Sequence, residues 1–343
     1  MTALALPNRR IEDWKYTDLR NAIDPAAVES APTATWRVSV SGAAEQKDLP
    51  EITPRGAHGQ MGELAASRAN SGVFLRVGKG ERGTARLELA NAGHGRALIV
   101  IEDGAVLALR ENGRADEFAN IAVDVVLGAN AQLLHVRESA VGSEAVRVSD
   151  YSLRLAKGAT YRAHFADFGA KLSRTELHIA LEGEGAEAHL SGVSLLAEAG
   201  HADVTTRIAH AVGNTQSTQL FKIIAGGKSR GVYQGKISVA EGANGSDSRQ
   251  TAKGLLLGER AEIDLKPELE ILADDVKCAH GAAVGDLDPE SLFYLRSRGV
   301  PEAEARALLM RAFLEDAVAE IADETIRAEV CSRVEMALAE LSA

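Results

Sequence analysis

The sequence is poor in cysteine, proline and aromatic residues. Its 343 residues include only two cysteines, Cys278 and Cys331, with eight prolines and 4% aromatic side chains. Two cysteines this far apart do not form the kind of disulfide framework that stabilises small exported domains. We therefore expect a protein of the reducing cytoplasm.

The sequence also lacks an excess of positive charge and any long apolar run. Lys and Arg number 38 against 49 Asp and Glu, so the formal net charge is −11. Such a surface would repel a phosphate backbone, and nucleic acid is not expected as a partner. No apolar run approaches the roughly 20 residues that span a bilayer. Arg9 and Arg10 follow the short apolar stretch at the start rather than precede it, so neither a signal peptide nor a membrane anchor is expected.

A complete nucleotide-binding motif and the common metal-binding motifs are missing as well. AGGKSRG at residues 225–231 is similar to a phosphate-binding loop, but Lys222 stands where GxxxxGK[ST] needs its first glycine. Direct binding of ATP is therefore not expected. No CxxC or HxxxH motif occurs, and the sequence shows no obvious catalytic triad. Six histidines of the central region share no ligand spacing and are interpreted as hydrogen-bonded strand or surface residues: His135, His164, His178, His189, His201 and His210.

The central region contains strand and turn signals. From about Gly72, short alternating apolar runs are separated by Gly, Ala, Asn and Asp. Similar turns recur, most of them 24 to 30 residues apart, at Gly104, Gly128, Gly158, Gly185, Gly213, Gly242 and Gly258. This recurrence, without helical segments between the turns, predicts stacked coils of a parallel β-helix. An antiparallel sandwich or barrel is the alternative, although its turns usually recur every 8 to 12 residues or so.

The N-terminal region predicts helical and irregular structure. Residues 8–20 combine helix formers with apolar side chains and predict a short amphipathic helix, in which Trp14 docks on the rest of the protein. Residues 24–54 predict an irregular connection with one strand, TWRVSV. Residues 59–70 predict another short helix.

The C-terminal region changes to helical periodicity. Asp288 is a good N-cap, Pro289 suits the first helical position, and Gly299 follows the end of this first helix. Two further helices are predicted from Pro301 and Asp323. Their apolar stripes consist of Leu308, Ala312 and Phe313 in one, and Ile326, Val330, Val334, Leu338 and Leu341 in the other. These helices could cover the open end of the β-helix or offer a face to another protein.

Cys278 and His280 lie where the strand region meets the helices. On an extended backbone they project from the same face, and a thiolate and an imidazole both ligate zinc or iron. Structural zinc and iron-sulfur sites usually need four protein ligands, so the others would come from elsewhere in the fold or from a second protein. An ordinary buried thiol beside a hydrogen-bonded histidine is the alternative. The neighbouring charges of Asp274, Asp275 and Lys277 act in opposite directions on the thiol pKa.

Two stretches resemble a known family. SRGVYQGKISV, followed by LKPELEILADDVKCAHGAAVGDLDPESLFYLRSRGV, closely resembles the C-terminal signature of the SufB/SufD family of iron-sulfur cluster assembly proteins. RRIEDWKYTDL near the start is similar to the N-terminal motif of the SufD branch, and the lack of cysteine before Cys278 also fits that branch. The resemblance covers the whole chain in layout and is most specific over residues 229–300.

This resemblance implies a fold and a function. The fold would be mainly β, a right-handed parallel β-helix core at residues 72–285 between α-helical regions at residues 1–71 and 286–343. The chain would be a scaffold and not an enzyme, paired with SufB along the β-helix end and bound through its C-terminal helices to the ATPase SufC. Iron or a nascent iron-sulfur cluster would be held transiently at the SufB interface, and none would be bound stably by this chain alone.

The resemblance also suggests roles for particular residues. His280 would be the principal ligand at the interface, with Cys278 secondary. Leu292, Phe293, Leu308 and Phe313 would form or support the surface that binds SufC. A homodimer of the isolated chain is a further possibility. The competing class is a β-helix enzyme acting on polysaccharide, which only scattered Asp, Glu and Arg residues favour.

Overall fold

The alternating apolar runs form strands over most of the chain. The computed structural model describes residues 4–49, 56–113, 117–139 and 144–342. The strands in these ranges are β1 Trp36–Gly42, β2 Ala44–Asp48, β3 Val73–Val77, β4 Arg82–Leu89, β5 Gly93–Ile101, β6 Val106–Gly113, β7 Phe118–Leu127, β8 Gln132–Ser139, β9 Val146–Leu155, β10 Thr160–Asp167, β11 Leu172–Leu181, β12 Glu187–Leu196, β13 His201–His210, β14 Gln216–Ala225, β15 Arg230–Val239, β16 Asp247–Leu256, β17 Glu262–Ile271 and β18 Lys277–Gly285. The helices are α1 Pro25–Glu29, α2 Gln60–Arg68, α3 Pro289–Ser297, α4 Glu302–Ala319 and α5 Glu324–Ser342, and two short 3-10 helices span Glu12–Trp14 and Leu19–Asn21.

The strands form two nine-stranded sheets. Sheet I has the order β1-β4-β6-β8-β10-β12-β14-β16-β18, and sheet II has the order β2-β3-β5-β7-β9-β11-β13-β15-β17. Neighbouring strands are parallel except in the pairs β1 with β4 and β2 with β3. From β3 onward each coil contributes one strand to each sheet. The chain is therefore mainly β, with a parallel β-solenoid of about seven turns, and the antiparallel alternative is wrong.

The interior of the solenoid is built from alternate residues of each strand. Leu107, Leu133 and Tyr161 occupy paired positions on β6, β8 and β10, and none is more than 1% exposed. Because the coils are in register, inward-facing side chains stack on those of the next coil. Burial of each large apolar side chain contributes about 1.5–3 kcal/mol, so the stacking of coils stabilises the fold.

A ladder of turns connects the coils at one corner. Each of these turns has a residue with positive φ, between +55° and +75°: Gly80, Gly104, Asn130, Gly158, Gly185, Asn214 and Gly245. The backbone N–H of each donates to a carbonyl in the turn of the following coil, over 2.7–3.0 Å. Three of the predicted glycines, 104, 158 and 185, are left-handed residues that donate these hydrogen bonds, whereas Gly242 is left-handed (φ +76°) but Gly245 is the donor in its turn. In the turns predicted at Gly128 and Gly213 that residue is an asparagine, which tolerates this conformation better than most side chains.

The N-terminal region differs in part from its prediction. Two 3-10 helices replace the amphipathic helix predicted at residues 8–20, but Trp14 does dock, buried with its ring 4.0 Å from the Arg174 guanidinium. The predicted strand is β1, and α2 confirms the second helix. The irregular connection is wrong over residues 25–29 and 44–48, which form α1 and β2. Strand β2 forms there because it pairs with β3, the first parallel strand of sheet II. Residues 50–54 lie outside the described residues.

The predicted caps of the first C-terminal helix are confirmed. The Asp288 carboxylate accepts hydrogen bonds from the backbone N–H groups of Glu290 and Ser291 at 3.2 and 3.1 Å. Gly299 follows α3 with φ +87°. The apolar stripe predicted for the third helix is also found, since Val330, Val334 and Leu338 of α5 are buried in the cluster that joins α4, α5 and sheet I.

Helices α4 and α5 pack on the outer face of sheet I. Their buried residues contact Val193, Leu195 and Ile224 of β12 and β14, away from the last strands, so these two helices do not cover the end of the solenoid. The apolar stripe predicted for α4 is wrong. Leu308 is 41% exposed and Ala312 is exposed. The buried stripe consists of Ala305, Met310, Leu314, Ala317 and Val318, because the sheet selects the face of α4 that it covers. None of the helices in the described ranges is long and apolar enough to cross a membrane.

Candidate functional site

Cys278 and His280 lie on the last strand of sheet I. In the parallel register of β18 with β16, Cys278 is paired with Ser248 and His280 with Gln250. Ser248 and Gln250 face the interior and are at most 1% exposed. The cysteine and histidine thus continue two inward-facing columns of side chains, as their spacing predicts.

The column that ends at Cys278 is polar. One ring nitrogen of His210 lies 2.9 Å from Ser217 Oγ, which lies 2.7 Å from Ser248 Oγ. Cys278 follows in the next coil, partly buried, and packs against Ile237 and Val239. This column of the solenoid interior is therefore polar up to the last coil.

Two effects raise the pKa of the Cys278 thiol. Burial is the larger, and the Asp247 carboxylate adds to it, while a backbone hydrogen bond at Ser248 opposes both. The sequence neighbours Asp274, Asp275 and Lys277 are not among these causes. The thiol is therefore protonated at neutral pH unless a bound cation displaces the proton.

His280 is exposed, in contrast to the hydrogen-bonded histidine of the alternative interpretation. It makes no hydrogen bond to another described residue, whereas Gln250, its neighbour in the preceding coil, is buried. Gln250 donates from Nε2 to Tyr233 Oη over 2.8 Å, and its Oε1 has no partner in the described part of the chain. The imidazole is free to ligate a group that approaches from outside.

This end of the solenoid is uncovered among the described residues. Strands β17 and β18 are the last of their sheets, and each has a strand neighbour in its sheet on one side only. Ile271, Leu272 and Val284, in or beside these strands, are 39%, 64% and 43% exposed. A strand with one free edge offers unpaired N–H and C=O groups to another chain. We call the surface formed by β17 and β18 the open end.

The four residues of the C-terminal helices that the sequence suggests for a partner surface differ in exposure. Phe293 on α3 is 74% exposed and Leu308 on α4 is 41% exposed. Leu292 and Phe313 are partly buried, and the Phe313 ring lies 4.8 Å from Lys222 Nζ. Lys222 also forms an ion pair with Asp316 at 2.5 Å. The residue that breaks the phosphate-loop motif therefore ties α4 to sheet I.

A second group of polar residues lies on the outer face of sheet II. Asp150 on β9 is paired with Glu176 on β11, and His178 lies two residues further along β11 on the same face. One ligand atom from each of these three side chains lies within 4.8 Å of the others. We call Asp150, Glu176 and His178 the triad.

The pKa values of the two triad carboxyl groups shift in opposite directions. Burial raises the pKa of Asp150, and the charge of Glu176 adds to the rise against opposing contacts with His58 and His178. Burial also disfavours ionisation of Glu176, but Arg174 and His178 outweigh it and lower its pKa to about 2. The buried carboxyl groups of Asp150 and Glu176 therefore lie side by side and differ in how readily they ionise.

Sequence reasoning missed the triad. Among the six histidines interpreted as hydrogen-bonded or surface residues, five do form hydrogen bonds to hydroxyl groups: His135, His164, His189, His201 and His210. His178 is the exception, because its Nε2 is buried without a hydrogen-bond partner in the described ranges. The available signal was Glu-x-His on one strand together with an aspartate one coil earlier.

Comparison with known proteins assigns the chain to a family. The family model described as "SUF system FeS cluster assembly, SufBD core domain" matches residues 84–313, which span most of the solenoid and reach into α4. The chain belongs to the SufBD family. It is therefore related to proteins of iron-sulfur cluster assembly, and the resemblance seen in its sequence is confirmed.

Similar SufBD proteins are known from several organisms. The chain is 28% identical to the iron-sulfur cluster assembly protein SufD of Escherichia coli, over 96% of this chain and 88% of that protein. It is 32% identical to a SufBD family protein of Synechocystis, over 64% of this chain and 51% of the relative. A SufBD family protein of Mycobacterium tuberculosis is 26% identical, over 97% and 89%. These relatives make the chain a SufD homologue, and they give no support to a polysaccharide-active enzyme.

Proposed function

We propose that this SufD homologue is a non-catalytic scaffold subunit that pairs with SufB and works with the ATPase SufC. Its cargo is iron or a nascent iron-sulfur cluster, held transiently at the interface with SufB. In this proposal the solenoid is right-handed, with its core at residues 72–285. Residues 1–71 form a helical and irregular region that adds β1 and β2 to the sheets, and residues 286–343 form a helical domain. The complex acts in the cytoplasm.

The observation that carries the proposal is the position of His280 on the open end. It continues the inward-facing column of Gln250, but its imidazole is exposed at the last coil and makes no hydrogen bond to a described residue. Cys278 adds a thiol on the same strand face. These two donors are fewer than the four ligands that iron-sulfur sites usually take, so a second chain must supply the others.

The free edges of β17 and β18 suit that second chain. A partner strand would satisfy their unpaired backbone groups and cover the apolar side chains of Leu272 and Val284. SufB is the partner proposed for this edge, and a second copy of this chain takes its place when the chain is purified alone.

The ATPase is proposed to bind the C-terminal helices. Phe293 on α3 is the most exposed of the large apolar residues named for this surface, followed by Leu308 on α4. Leu292 and Phe313 support the surface from partly buried positions. ATP is hydrolysed by SufC and not by this chain, because the loop at residues 225–231 lacks the first glycine of a phosphate-binding motif.

The test is to co-express the chain with SufB and SufC, purify the complex anaerobically, and measure iron and acid-labile sulfide. We expect His280→Ala to lose most of both, Cys278→Ser to lose less, and Ala279→Ser, one residue away on the opposite strand face, to match the parent. Equal iron and sulfide in His280→Ala and the parent would show that His280 is not a ligand. Stoichiometric retention of SufC distinguishes the scaffold from a polysaccharide-active enzyme, which would not retain an ATPase.

A further inference from the structure

The His178 imidazole of the triad lies close to both carboxylates but at more than hydrogen-bond distance from each. His178 Nε2 lies 3.8 Å from Asp150 Oδ1 and 3.6 Å from Glu176 Oε2. Both distances are too long for hydrogen bonds. Nε2 is nevertheless buried and has no hydrogen-bond partner in the described part of the chain.

These separations suit ligands of one metal ion. Ligand atoms about 2.0–2.2 Å from a tetrahedral zinc ion lie about 3.3–3.6 Å from each other. The distances from His178 Nε2 to the two carboxylates are at or slightly above this range, so small side-chain rotations would bring all three donors to a shared ion. One imidazole and two carboxylates are donors that Zn²⁺, Fe²⁺ and Mn²⁺ accept.

The carboxylates of the triad are held in place by neighbouring groups. His58 Nδ1 lies 2.7 Å from Asp150 Oδ1, and the Gly59 N–H donates to Asp150 Oδ2 over 2.8 Å. Arg174 Nε donates to Glu176 Oε1 over 2.7 Å. A Cβ at Gly59 would lie 2.3 Å from Glu176 Oε2, so only glycine lets the backbone approach this closely. Such outer contacts orient the ligands of metal sites.

The site is accessible from one side. His178 lines a cavity of about 510 Å³ on the outer face of sheet II, together with Ser152, Arg154 and Arg207. This space can admit an ion and hold water molecules as its remaining ligands. Asp150 and Glu176 are at most 3% exposed and do not line the cavity themselves.

We propose that Asp150, Glu176 and His178 bind one divalent transition-metal ion in this chain alone, with water completing the coordination. This goes beyond the proposed scaffold function and differs from the expectation that the isolated chain binds no metal stably. The triad lies on β9 and β11, several coils before the open end. The two sites can therefore be tested separately.

The experiment uses the full chain carrying Cys278→Ser and His280→Ala, so that the open end contributes no ligand. Equilibrium dialysis with Zn²⁺, with Mn²⁺ and, under anaerobic conditions, with Fe²⁺ measures affinity and stoichiometry. We expect one equivalent of at least one of these ions. His178→Ala in the same background should weaken binding by about tenfold or more. His189→Ala is the matched control, because its side chain is 17% exposed against 16% for His178 and lies outside the triad.

Thermal unfolding provides a second measurement that does not depend on the iron content of a complex. The ion should raise the Tm of the background protein and of His189→Ala, but not that of His178→Ala or His178→Gln. Failure of all three ions to bind the background protein would overturn the proposal. Equal affinity in His178→Ala and His189→Ala would also overturn it. Neither result depends on whether His280 binds iron with SufB.

Discussion

Arg147 Nη2 donates a hydrogen bond of 2.7 Å to Glu111 Oε1 inside the solenoid, where the two side chains are 0% and 1% exposed. Glu111 also accepts from Tyr151 Oη over 2.6 Å and lies 3.5 Å from Arg137 Nε. One carboxylate therefore compensates two buried guanidinium groups. Removing the carboxylate would leave the guanidinium charges without this partner in the protein interior, which solvates charge poorly.

Glu111→Gln should lower the free energy of unfolding by about 3–5 kcal/mol, since Arg137 and Arg147 lose their shared carboxylate. Denaturant unfolding measures the change. The matched control is Glu182→Gln, which breaks the exposed pair with Arg154 at 3.0 Å and should cost about 0.5 kcal/mol or less. Similar losses in the two variants would contradict the role assigned to Glu111.

His210 should make stability depend on pH. Its ring nitrogens lie 2.7 Å from Thr215 Oγ1 and 2.9 Å from Ser217 Oγ, and burial lowers its pKa to about 4. The unfolded chain has the ordinary value near 6.5 and takes up a proton first as the pH falls. The stabilisation that comes from keeping His210 neutral in the fold is therefore complete above about pH 6.5. It is lost as the pH falls from about 6.5 to 4.

His210→Gln should reduce this loss by up to about 3 kcal/mol, because glutamine does not titrate in the range. Denaturant unfolding of parent and variant at pH 7, 5.5 and 4 measures the difference. Parallel stability curves for the two proteins would show that His210 does not take up the proton on unfolding.

The turn ladder should be sensitive to side chains at its left-handed positions. Gly185 has φ +74°, and its N–H donates to the Asn214 carbonyl over 3.0 Å. Gly185→Ala should cost about 1–2 kcal/mol, because a Cβ disfavours this conformation. Gly281→Ala is the control. A Cβ at this position would meet nothing within 4 Å, so the substitution should not destabilise the chain. A cost for Gly281→Ala as large as that for Gly185→Ala would refute this account.

Phe293→Ala tests the surface proposed for SufC. The side chain is 74% exposed, so its removal should leave the Tm of the isolated chain nearly unchanged. The affinity for SufC should fall by about tenfold or more, because buried aromatic side chains contribute strongly to protein interfaces. Met336→Ala on α5, at 60% exposure, is the comparison. Equal affinities for SufC in the two variants would exclude Phe293 from the interface.

Helix packing illustrates where sequence periodicity stops being informative. Asp288 and Gly299 delimit α3 through local hydrogen bonds and backbone conformation, so they could be predicted from the sequence. The buried face of α4 could not, because several apolar stripes are compatible with its sequence. Contact with sheet I buries Leu314 and leaves Leu308 exposed.

The sequence by itself determined the strand alternation, the recurring turns and the position of Cys278 and His280 on one strand face. Each of these depends on neighbouring residues and on the two-residue period of a strand. Only the tertiary structure decided that the imidazole of His280, at the end of the strand region, is exposed. Only the register of β9 with β11 brought Asp150 next to Glu176. Such pairings are long-range: hydrogen bonds between coils fix them, and they join residues that local sequence patterns do not connect.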